Sequence, residues 1–496
     1  MRWCLLIGLL AWPVLAGCSP DAPLAAAPPV AAGQSPPAAP SAPAVAAPAM
    51  MPPAAPLPKS LWTRQAGSDW PAFLGPTGDS QSTETGILTQ WPPTGPKLRW
   101  HAPLGTSYGA PTISRGRLFQ FDRFGDVARL YCLNAETGVP LWKYEYPTDY
   151  ADLYGYNNGP RCSPVVDDDR VYAFGVDGVL VCCRAESGEK VWQLNTNKAF
   201  GVVQNFFGVG STPVIEGNLL ICMIGGSTPE SLAVPPGQLD RVFGNGTAVV
   251  AFDKFTGEVK YKLSDELASY ASMKLATIGG RRWGFAFCRG GLVGFDPATG
   301  KVDFEYPWRA SILESVNASM PVVVGDEVLI SETYGVGSSL LKVSPGKHEV
   351  IWRDDAKKRA KAMMTHWNTP VYRDGYLYGS SGRHPENAEL RCIEWQTGKV
   401  MWSEPGLSRS SLLYIDGHFL CMGEYGQLTL FKVNPEKYEP VAQIDYADPV
   451  LGGKLLGGPD VPLLKPYCWA APIVSHGLLY LRGDGRLACF ELIPPR

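Results

Sequence analysis

The sequence has little charge of either sign and no run of basic residues. Charged residues make up 18% of the 496 positions, and the formal net charge at pH 7 is −3. Proteins that hold nucleic acid gather Lys and Arg on one face, because contacts to the phosphate backbone provide most of the affinity. We therefore expect no nucleic-acid partner.

Signatures of catalysis and of metal binding are also missing. The chain has only six histidines, and none of them has the paired Cys/His spacing of a zinc site. The Gly-x-Ser-x-Gly motif of serine hydrolases is absent. The sequence therefore provides no catalytic residue and no metal site that we would name.

Long apolar runs are absent after the first twenty residues, which read MRWCLLIGLLAWPVLAGCSP. This run is too short for a membrane span and predicts a secretory signal peptide. LAGC at 15–18 resembles the lipobox of bacterial lipoproteins. That resemblance implies a signal peptide over 1–18, a lipid on Cys18 and membrane contact through this lipid only. An Asp after the cysteine implies retention at the inner membrane; here Ser19 follows, so we expect an exported lipoprotein of the outer membrane that faces the periplasm.

Residues 19–58 are almost entirely Ala and Pro. Such a segment buries too little apolar surface to fold, so we expect a disordered tether. A Pro-rich chain of this length reaches on the order of 100 Å at ~3 Å per residue.

An internal repeat predicts the fold. Each copy has a short apolar strand, a Thr/Ser–Gly turn and a second strand with an aromatic residue four positions after the glycine. The clearest copies are CLNAETGVPLW (132–142), CCRAESGEKVW (182–192), AFDKFTGEVKY (251–261), GFDPATGKVDF (294–304) and CIEWQTGKVMW (392–402). A short hairpin precedes most copies, so each unit contains four antiparallel strands in roughly 40–50 residues, as in a propeller blade. The aromatic residues recur at one repeat position, which favours packing between blades.

Counting the units gives an all-β, eight-bladed β-propeller over residues 97–496. The last unit lacks its fourth strand, whereas GPKLRWHAPL (95–104) resembles a fourth strand without a blade. Pairing the two would close the ring and leave no open sheet edge. We expect residues 61–96 to form an N-terminal extension that packs on the propeller.

When the repeat copies are aligned, the adjacent Cys182 and Cys183 fall at two neighbouring positions. The first position holds small residues and the second holds apolar residues. Successive strand residues point to opposite faces, and a buried free cysteine behaves as a small hydrophobe. We therefore interpret the pair as core residues, with a redox role as the alternative.

The repeat resembles that of the pyrroloquinoline-quinone (PQQ)-like β-propellers. This family includes the BamB-like outer-membrane assembly lipoproteins, which are adaptors, and the quinoprotein dehydrogenases. In the dehydrogenases the resemblance implies PQQ on the ring axis above a Trp, a calcium ion held by carboxylate and amide oxygens, and an Asp as general base.

Residues just before the innermost strands converge at one end of the channel. These residues are rich in amides, aromatic rings and cations and poor in carboxylates, and their roles are either ligand binding or hydrogen bonding to loop carbonyls. The candidate ligand-binding residues are Asn158, Arg161, Asn205, Tyr270, Asn317, His366, Asn368, Arg409 and Trp469. Since no calcium ligand set is recognisable, we expect no cofactor, and PQQ with calcium is the alternative.

Together these features favour a lipid-anchored, non-catalytic scaffold that binds another envelope or outer-membrane protein. The first alternative is a PQQ- and calcium-dependent alcohol or sugar oxidoreductase. The second is a glycan-binding propeller, because aromatic and amide groups suit hydroxyl-rich ligands.

Overall fold

In the computed structural model, which describes residues 56–495, the repeat folds into eight four-stranded antiparallel sheets. Each sheet is one blade, and the first strand of the chain, β1 (Lys97–Pro103), belongs to blade 8. The predicted signal peptide, Cys18 and residues 19–55 of the predicted tether lie outside the described residues.

In blades 1 to 7 the four strands follow one another along the chain. The strands of blades 1 and 2 are β2 (Thr112–Ser114), β3 (Arg117–Phe124), β4 (Val127–Asn134), β5 (Pro140–Pro147), β6 (Val165–Asp167), β7 (Arg170–Phe174), β8 (Val179–Arg184) and β9 (Lys190–Asn195). Blades 3 and 4 contain β10 (Val214–Glu216), β11 (Leu219–Met223), β12 (Val249–Asp253), β13 (Val259–Leu263), β14 (Lys274–Ile278), β15 (Arg281–Phe287), β16 (Gly291–Phe295) and β17 (Val302–Pro307).

The second half of the ring repeats this arrangement. Blades 5 and 6 contain β18 (Val322–Val324), β19 (Glu327–Glu332), β20 (Gly337–Ser344), β21 (Lys347–Arg353), β22 (Val371–Arg373), β23 (Tyr376–Ser381), β24 (Glu389–Glu394) and β25 (Val400–Pro405). Blades 7 and 8 contain β26 (Ser410–Ile415), β27 (His418–Gly423), β28 (Gln427–Lys432), β29 (Pro440–Asp445), β30 (Ile473–Ser475), β31 (Leu478–Gly483) and β32 (Arg486–Glu491), with β1 as the last strand of blade 8.

The N-terminal strand closes the ring. β1 pairs antiparallel with β32, with Lys97 opposite Glu491 and Pro103 opposite Arg486. The predicted eight-bladed propeller and its closure by an N-terminal strand are thus confirmed. Because β32 has β31 on its other side, no central strand of blade 8 is left with unpaired backbone groups.

The aromatic residue of each repeat joins neighbouring blades, as predicted. Trp142 on β5 of blade 1 donates its indole N–H to Ala185 O of blade 2 at 3.1 Å. Gly188, in the Ser–Gly turn after Ala185, has φ +75°, and an added Cβ would lie 2.5 Å from the Trp142 ring. The turn glycine is therefore required both by its left-handed backbone and by the ring packed against it.

The adjacent cysteines point to opposite faces of β8. Cys182 packs with Leu220 and Cys222 between blades 2 and 3, whereas Cys183 packs with Phe119 and Val181 between blades 1 and 2. Both are free and fully buried, and burial raises the pKa of Cys182 to about 11 and that of Cys183 to about 12. The pair belongs to two core clusters.

Few helices interrupt the sheets. Within residues 56–495 they are α1 (Thr196–Phe200), α2 (Pro449–Leu456) and the 3-10 helices Pro229–Ala233, Leu239–Arg241 and Pro385–Asn387. Two longer insertions, residues 225–247 within blade 3 and residues 447–466 between blades 7 and 8, fold back on the propeller. Leu239 of the first and Leu463 and Leu464 of the second are buried. No helix of the described chain is both long and apolar enough to cross a membrane.

Candidate functional site

Residues 69–82 run through the inside of the ring, and we call this segment the plug. Trp70 exchanges two backbone hydrogen bonds, of 2.7 and 2.8 Å, with Ile113 on β2. Further bonds reach blades 2, 4 and 7: Val166 N to Pro71 O at 2.8 Å, Lys274 Nζ to Thr77 O at 2.6 Å and Tyr414 N to Ser80 O at 2.9 Å. The plug therefore contacts innermost strands around the ring and closes the channel at one level.

A tight turn holds the plug in shape. Trp70 is buried, and its ring covers Gly75, whose φ of +89° and distance of 2.9 Å from an added Cβ to the ring leave room only for glycine. This packing places Phe73 and Leu74 at the inner end of a cavity. The channel is thus a blind pocket that is closed by the plug and open at the other end. We call this pocket with its open end the mouth.

The cavity has a volume of about 770 Å³ and receives residues from all eight blades. Aromatic side chains make up much of its wall: Phe73, Tyr108, Tyr154, Tyr156, Phe206, Phe207, Tyr270, Tyr334, His366, Trp367, Tyr467 and Trp469. Its cationic lining residues are Arg161, Arg383 and Arg409. Concave, mostly apolar pockets with a few convergent polar groups are typical ligand sites.

Two parts of the aromatic wall are continuous. On one side, ring centroids lie 4.4 Å apart between Tyr108 and Trp469 and again 4.4 Å apart between Trp469 and Trp367. On the other side, Phe207 lies 5.4 Å from Tyr270 and 6.0 Å from Tyr156. At these distances the rings are in contact, tilted by 31–51° to one another, so both walls offer preformed apolar surface.

Buried carboxylates neutralise two of the three arginines. Arg161 Nη2 lies 2.6 Å from Asp152 Oδ2, and Arg409 Nη2 lies 2.6 Å from Glu424 Oε2. The Asp152 and Glu424 side chains are fully buried, and Glu424 also accepts the indole N–H of Trp469 at 3.1 Å. The Arg409 guanidinium lies 4.4 Å from the Trp367 ring centroid. These ion pairs fix the orientation of the cations and rings.

His366 contributes no charge to the site. Burial, together with the positive charges of Arg409 and Arg383, lowers its pKa to about 3. Its Nε2 lies 3.4 Å from the Tyr334 hydroxyl. The imidazole is therefore neutral near pH 7 and forms part of the aromatic wall.

The structure places six of the nine sequence-predicted residues around the cavity: Arg161, Tyr270, His366, Asn368, Arg409 and Trp469. The other three lie outside it. Asn158 lies at a separate open depression, Asn205 lines a small neighbouring cavity, and Asn317 is buried.

The predicted amides serve the loops that carry them. Asn317 Nδ2 donates to Cys288 O at 2.7 Å, and Asn368 Nδ2 donates to Ser380 O at 2.9 Å. Asn205 Nδ2 donates to Ala268 O at 3.3 Å, while Asn158 Oδ1 accepts the backbone N–H of Asp152 at 2.8 Å. Each of the four amides thus bonds to backbone through one polar atom, which is the usual role of amides in loops.

Sequence reasoning missed part of the wall. Tyr334 and Arg383 lie in the turns between the second and third strands of blades 5 and 6. In an antiparallel blade this turn lies at the same end as the start of the first strand. The expectation that residues before each innermost strand, such as His366, meet at one end of the channel therefore applies to these turns as well. Phe73 carries no such signal, because it belongs to the non-repetitive plug.

The donor set does not fit a calcium-bound quinone. Calcium takes six to eight oxygen ligands, mainly carboxylates and carbonyls. Two of the buried carboxylates at the mouth, Asp152 and Glu424, are held by Arg161 and Arg409, whose charges repel a cation. In the part of the chain that the structure describes, no three His, Cys, Asp or Glu side chains gather as a metal site. We derive no step through PQQ or calcium.

Fold and site together define an eight-bladed β-propeller whose channel is a blind, aromatic pocket. A family model described as outer membrane protein assembly factor BamB matches residues 80–234 and 232–404. The chain belongs to this family. Comparison with curated protein sequences finds no match.

Solved structures resemble this chain at low sequence identity. BamB from Moraxella catarrhalis has a TM-score of 0.52 at 11% identity, over 80% of this chain and 97% of that one. The quinohemoprotein alcohol dehydrogenase from Comamonas testosteroni has a TM-score of 0.47 at 12% identity, over 86% and 81%. The computationally designed Ika8 protein has a TM-score of 0.48 at 10% identity, over 80% and 100%.

Proposed function

We propose that this protein is a lipid-anchored, non-catalytic scaffold of the cell envelope, whose mouth binds a segment of another envelope protein. Membership of a family described as an outer membrane assembly factor supports a role beside other envelope proteins. The observation that carries the proposal is the blind aromatic pocket with its ion-paired cations.

The pocket has the composition of a protein-binding surface. Tyr, Trp and Arg are enriched at such interfaces because they combine large apolar area with hydrogen bonding. The mouth presents all three types on a frame held by Asp152 and Glu424. A general base needs a free group within hydrogen-bond reach of its substrate. Asp152 and Glu424 are ion-paired and do not supply one, and Glu314, a further carboxylate of the lining, is exposed to solvent.

Site-specific photo-crosslinking in cells tests the proposal. The photo-reactive amino acid benzoylphenylalanine would replace Tyr156 or Tyr467, which are 68% and 44% exposed at the mouth, or Val139 in an outer turn of blade 1 as the matched control, which is 56% exposed. We expect both mouth positions, and not Val139, to form an adduct with the same envelope protein. Trp469→Ala should abolish these adducts.

Two results would contradict the proposal. One is equal adduct formation at Val139 and at the mouth. The other is saturable thermal stabilisation of the full chain by PQQ with calcium, because a ligand that binds the native state raises its stability. The second result would indicate a quinoprotein-type enzyme.

A further inference from the structure

The third arginine of the mouth, Arg383, has no carboxylate partner. Arg161 and Arg409 form ion pairs, but among residues 56–495 no Asp or Glu oxygen lies within 4.0 Å of the Arg383 guanidinium. Its Cζ instead lies 4.5 Å from the Tyr334 ring centroid, on the cavity wall. A half-buried guanidinium without a counter-ion favours an anionic ligand group.

No Asp or Glu among residues 56–495 forms an ion pair with Arg383. The buried carboxylate of Glu332 interacts with Arg383 electrostatically, but it accepts the backbone N–H groups of Tyr334 and Val336. Beside it, His366 is neutral. One further lining carboxylate, Glu314, is exposed and acts electrostatically on Tyr154. Among the described Arg, Lys, Asp and Glu residues of the lining, Arg383 and Glu314 are outside any ion pair, so the pocket suits a ligand with a single acidic group better than a polyanion.

Aromatic surface surrounds the cation on both sides of the cavity. Tyr334 is 5.9 Å from His366, which contacts Trp367 edge-on at 5.1 Å. Such walls accept a planar apolar group beside an acidic one. Asn368, the predicted amide that lines the cavity, is bonded to backbone through both its Oδ1 and its Nδ2, so it offers little to the hydroxyl groups of a glycan.

The aromatic surface also continues from the cavity wall to an exposed rim, made of three tyrosines of the lining and Tyr425 beside them. Tyr154, Tyr156, Tyr425 and Tyr467 are 51%, 68%, 45% and 44% exposed. Tyr425 and Tyr467 lie 6.0 Å apart, and Tyr467 lies 5.3 Å from Trp469 inside the pocket. A ligand that fills only the cavity would leave this rim uncovered, whereas a polypeptide covers both.

We infer that the mouth binds a peptide segment that carries an aromatic side chain next to a carboxylate. The carboxylate lies on Arg383. The aromatic ring lies between the wall of Tyr334, His366 and Trp367 and the wall of Phe207 and Tyr270. This inference rests on the proposed function and names the chemistry of the partner segment.

Binding of designed peptides to the purified full chain tests it. Four short fluorescent peptides with the same Gly/Ser flanks would carry Trp-Glu, Trp-Gln, Leu-Glu or Leu-Gln at their centre. We expect the Trp-Glu peptide to bind most tightly by fluorescence anisotropy. Because the proposed contact is a charge-assisted hydrogen bond, Arg383→Gln should weaken the binding of the Trp-Glu peptide about tenfold. The affinity for the Trp-Gln peptide should not change.

Two further variants control for folding and for overall charge. Arg383→Lys keeps the cation and should recover part of the affinity. Arg373→Gln removes the same charge at the β22–β23 turn, at the opposite end of the strand from the mouth, and should have no effect. Thermal unfolding of each variant shows whether the fold is intact.

The outcomes separate the two proposals. If Trp-Gln binds as tightly as Trp-Glu, or if Arg383→Gln has no effect on Trp-Glu, the acidic preference is wrong, although crosslinks at the mouth still support a protein partner. If PQQ displaces the Trp-Glu peptide at a concentration below that at which the peptide itself binds, the occupant is a small molecule and both proposals fail. If the mouth crosslinks no protein, the proposed function fails whatever the peptides do.

Discussion

At the scale of single residues, one repeated contact holds the ring together. Trp100, Trp142, Trp192, Trp352 and Trp402 each donate an indole N–H to a backbone carbonyl of the following blade. The turn glycines Gly138, Gly188, Gly257 and Gly398 lie under the first four of these rings. The contact between one blade's aromatic ring and the next blade's turn glycine therefore recurs around the ring. This contact explains why glycine and the aromatic residue keep their spacing in the sequence.

Substitution of a turn glycine tests this joint. Gly188→Ala combines a left-handed backbone with a Cβ 2.5 Å from the Trp142 ring. The matched control is Gly217→Ala, which has φ +56° but nothing within 4 Å of the added Cβ. We expect both to destabilise, with Gly188→Ala lowering the free energy of unfolding by about 1–3 kcal/mol more, by denaturant titration. Equal losses would mean that the ring moves aside freely.

Thiol reactivity tests the interpretation of the cysteines. The ten cysteines from Cys132 to Cys489 that the structure describes are free and buried. Since the reactive species is the thiolate, and burial raises the pKa of thiols such as Cys183, we expect none to react with an alkylating reagent in the native protein at mildly alkaline pH. All ten should react in denaturant. Thr137→Cys in an exposed turn provides the positive control. Rapid native labelling of Cys182 or Cys183 would contradict a core role.

The neutral His366 predicts a pH dependence of stability. Its pKa falls from 6.5 to about 3 on folding, so the unfolded chain binds a proton between these values while the native state does not. Stability contributed by the neutral imidazole is present above about pH 6.5 and is lost as the pH falls towards 3. His366→Gln should flatten the dependence of Tm on pH in this window, whereas His101→Gln on the exposed strand β1 should change it much less. An unchanged slope in His366→Gln would contradict the prediction.

At the scale of elements, the plug determines which end of the channel is open. Lys274, the first residue of β14, donates its Nζ to Thr77 O at 2.6 Å and to Gly78 O at 2.7 Å. Lys274 is buried, and its ammonium group joins this part of the plug to the innermost strand of blade 4. Phe73 and Leu74 consequently stay in place as the floor of the pocket.

Removal of this ammonium group should loosen the plug. Lys274→Met keeps the length of the side chain but removes the charged donor shared by the carbonyls of Thr77 and Gly78, at a cost of about 1–3 kcal/mol. We expect faster hydrogen exchange at the amides of Gly75 and Asp79, whose bonds close the plug turn, with little change in the outer strands. Lys301→Met on the surface is the control. Uniform change over all blades would mean that Lys274 supports the ring rather than the plug.

The elements also show what the sequence can and cannot predict. Blades were predictable because a turn glycine and an aromatic residue four positions later, as at Gly188 and Trp192, recur in four-stranded units. Closure of the ring was predictable because residues 95–104 supply the strand that the last unit lacks. The pocket was predictable in part, since the start of each inner strand, as at His366, must lie at one end of the channel. Arg383 was missed because only the first strand of each blade was considered. The plug has no counterpart in the repeat, so no spacing predicts where Phe73 lies.

At the scale of the whole molecule, the plug leaves the ring with one open face. The mouth gathers Arg161, Arg383 and Arg409 with aromatic residues from all around the ring, and its rim continues to Tyr425. A rigid ring of this kind binds by shape and charge, with little ordering cost at the interface. A membrane anchor would add to this by raising the local concentration of the mouth near envelope partners.

The anchor itself is the last prediction. If Cys18 carries the lipid, the full chain should incorporate labelled palmitate and sediment with membranes, because buried acyl chains hold a protein at the bilayer. Cys18→Ser should abolish labelling and release the protein into the soluble envelope fraction. Cys4→Ser, within the same predicted signal peptide, is the matched control and should leave both unchanged. Labelling that persists in Cys18→Ser would contradict the anchor, yet it would leave the mouth and its peptide preference to be judged by crosslinking and anisotropy alone.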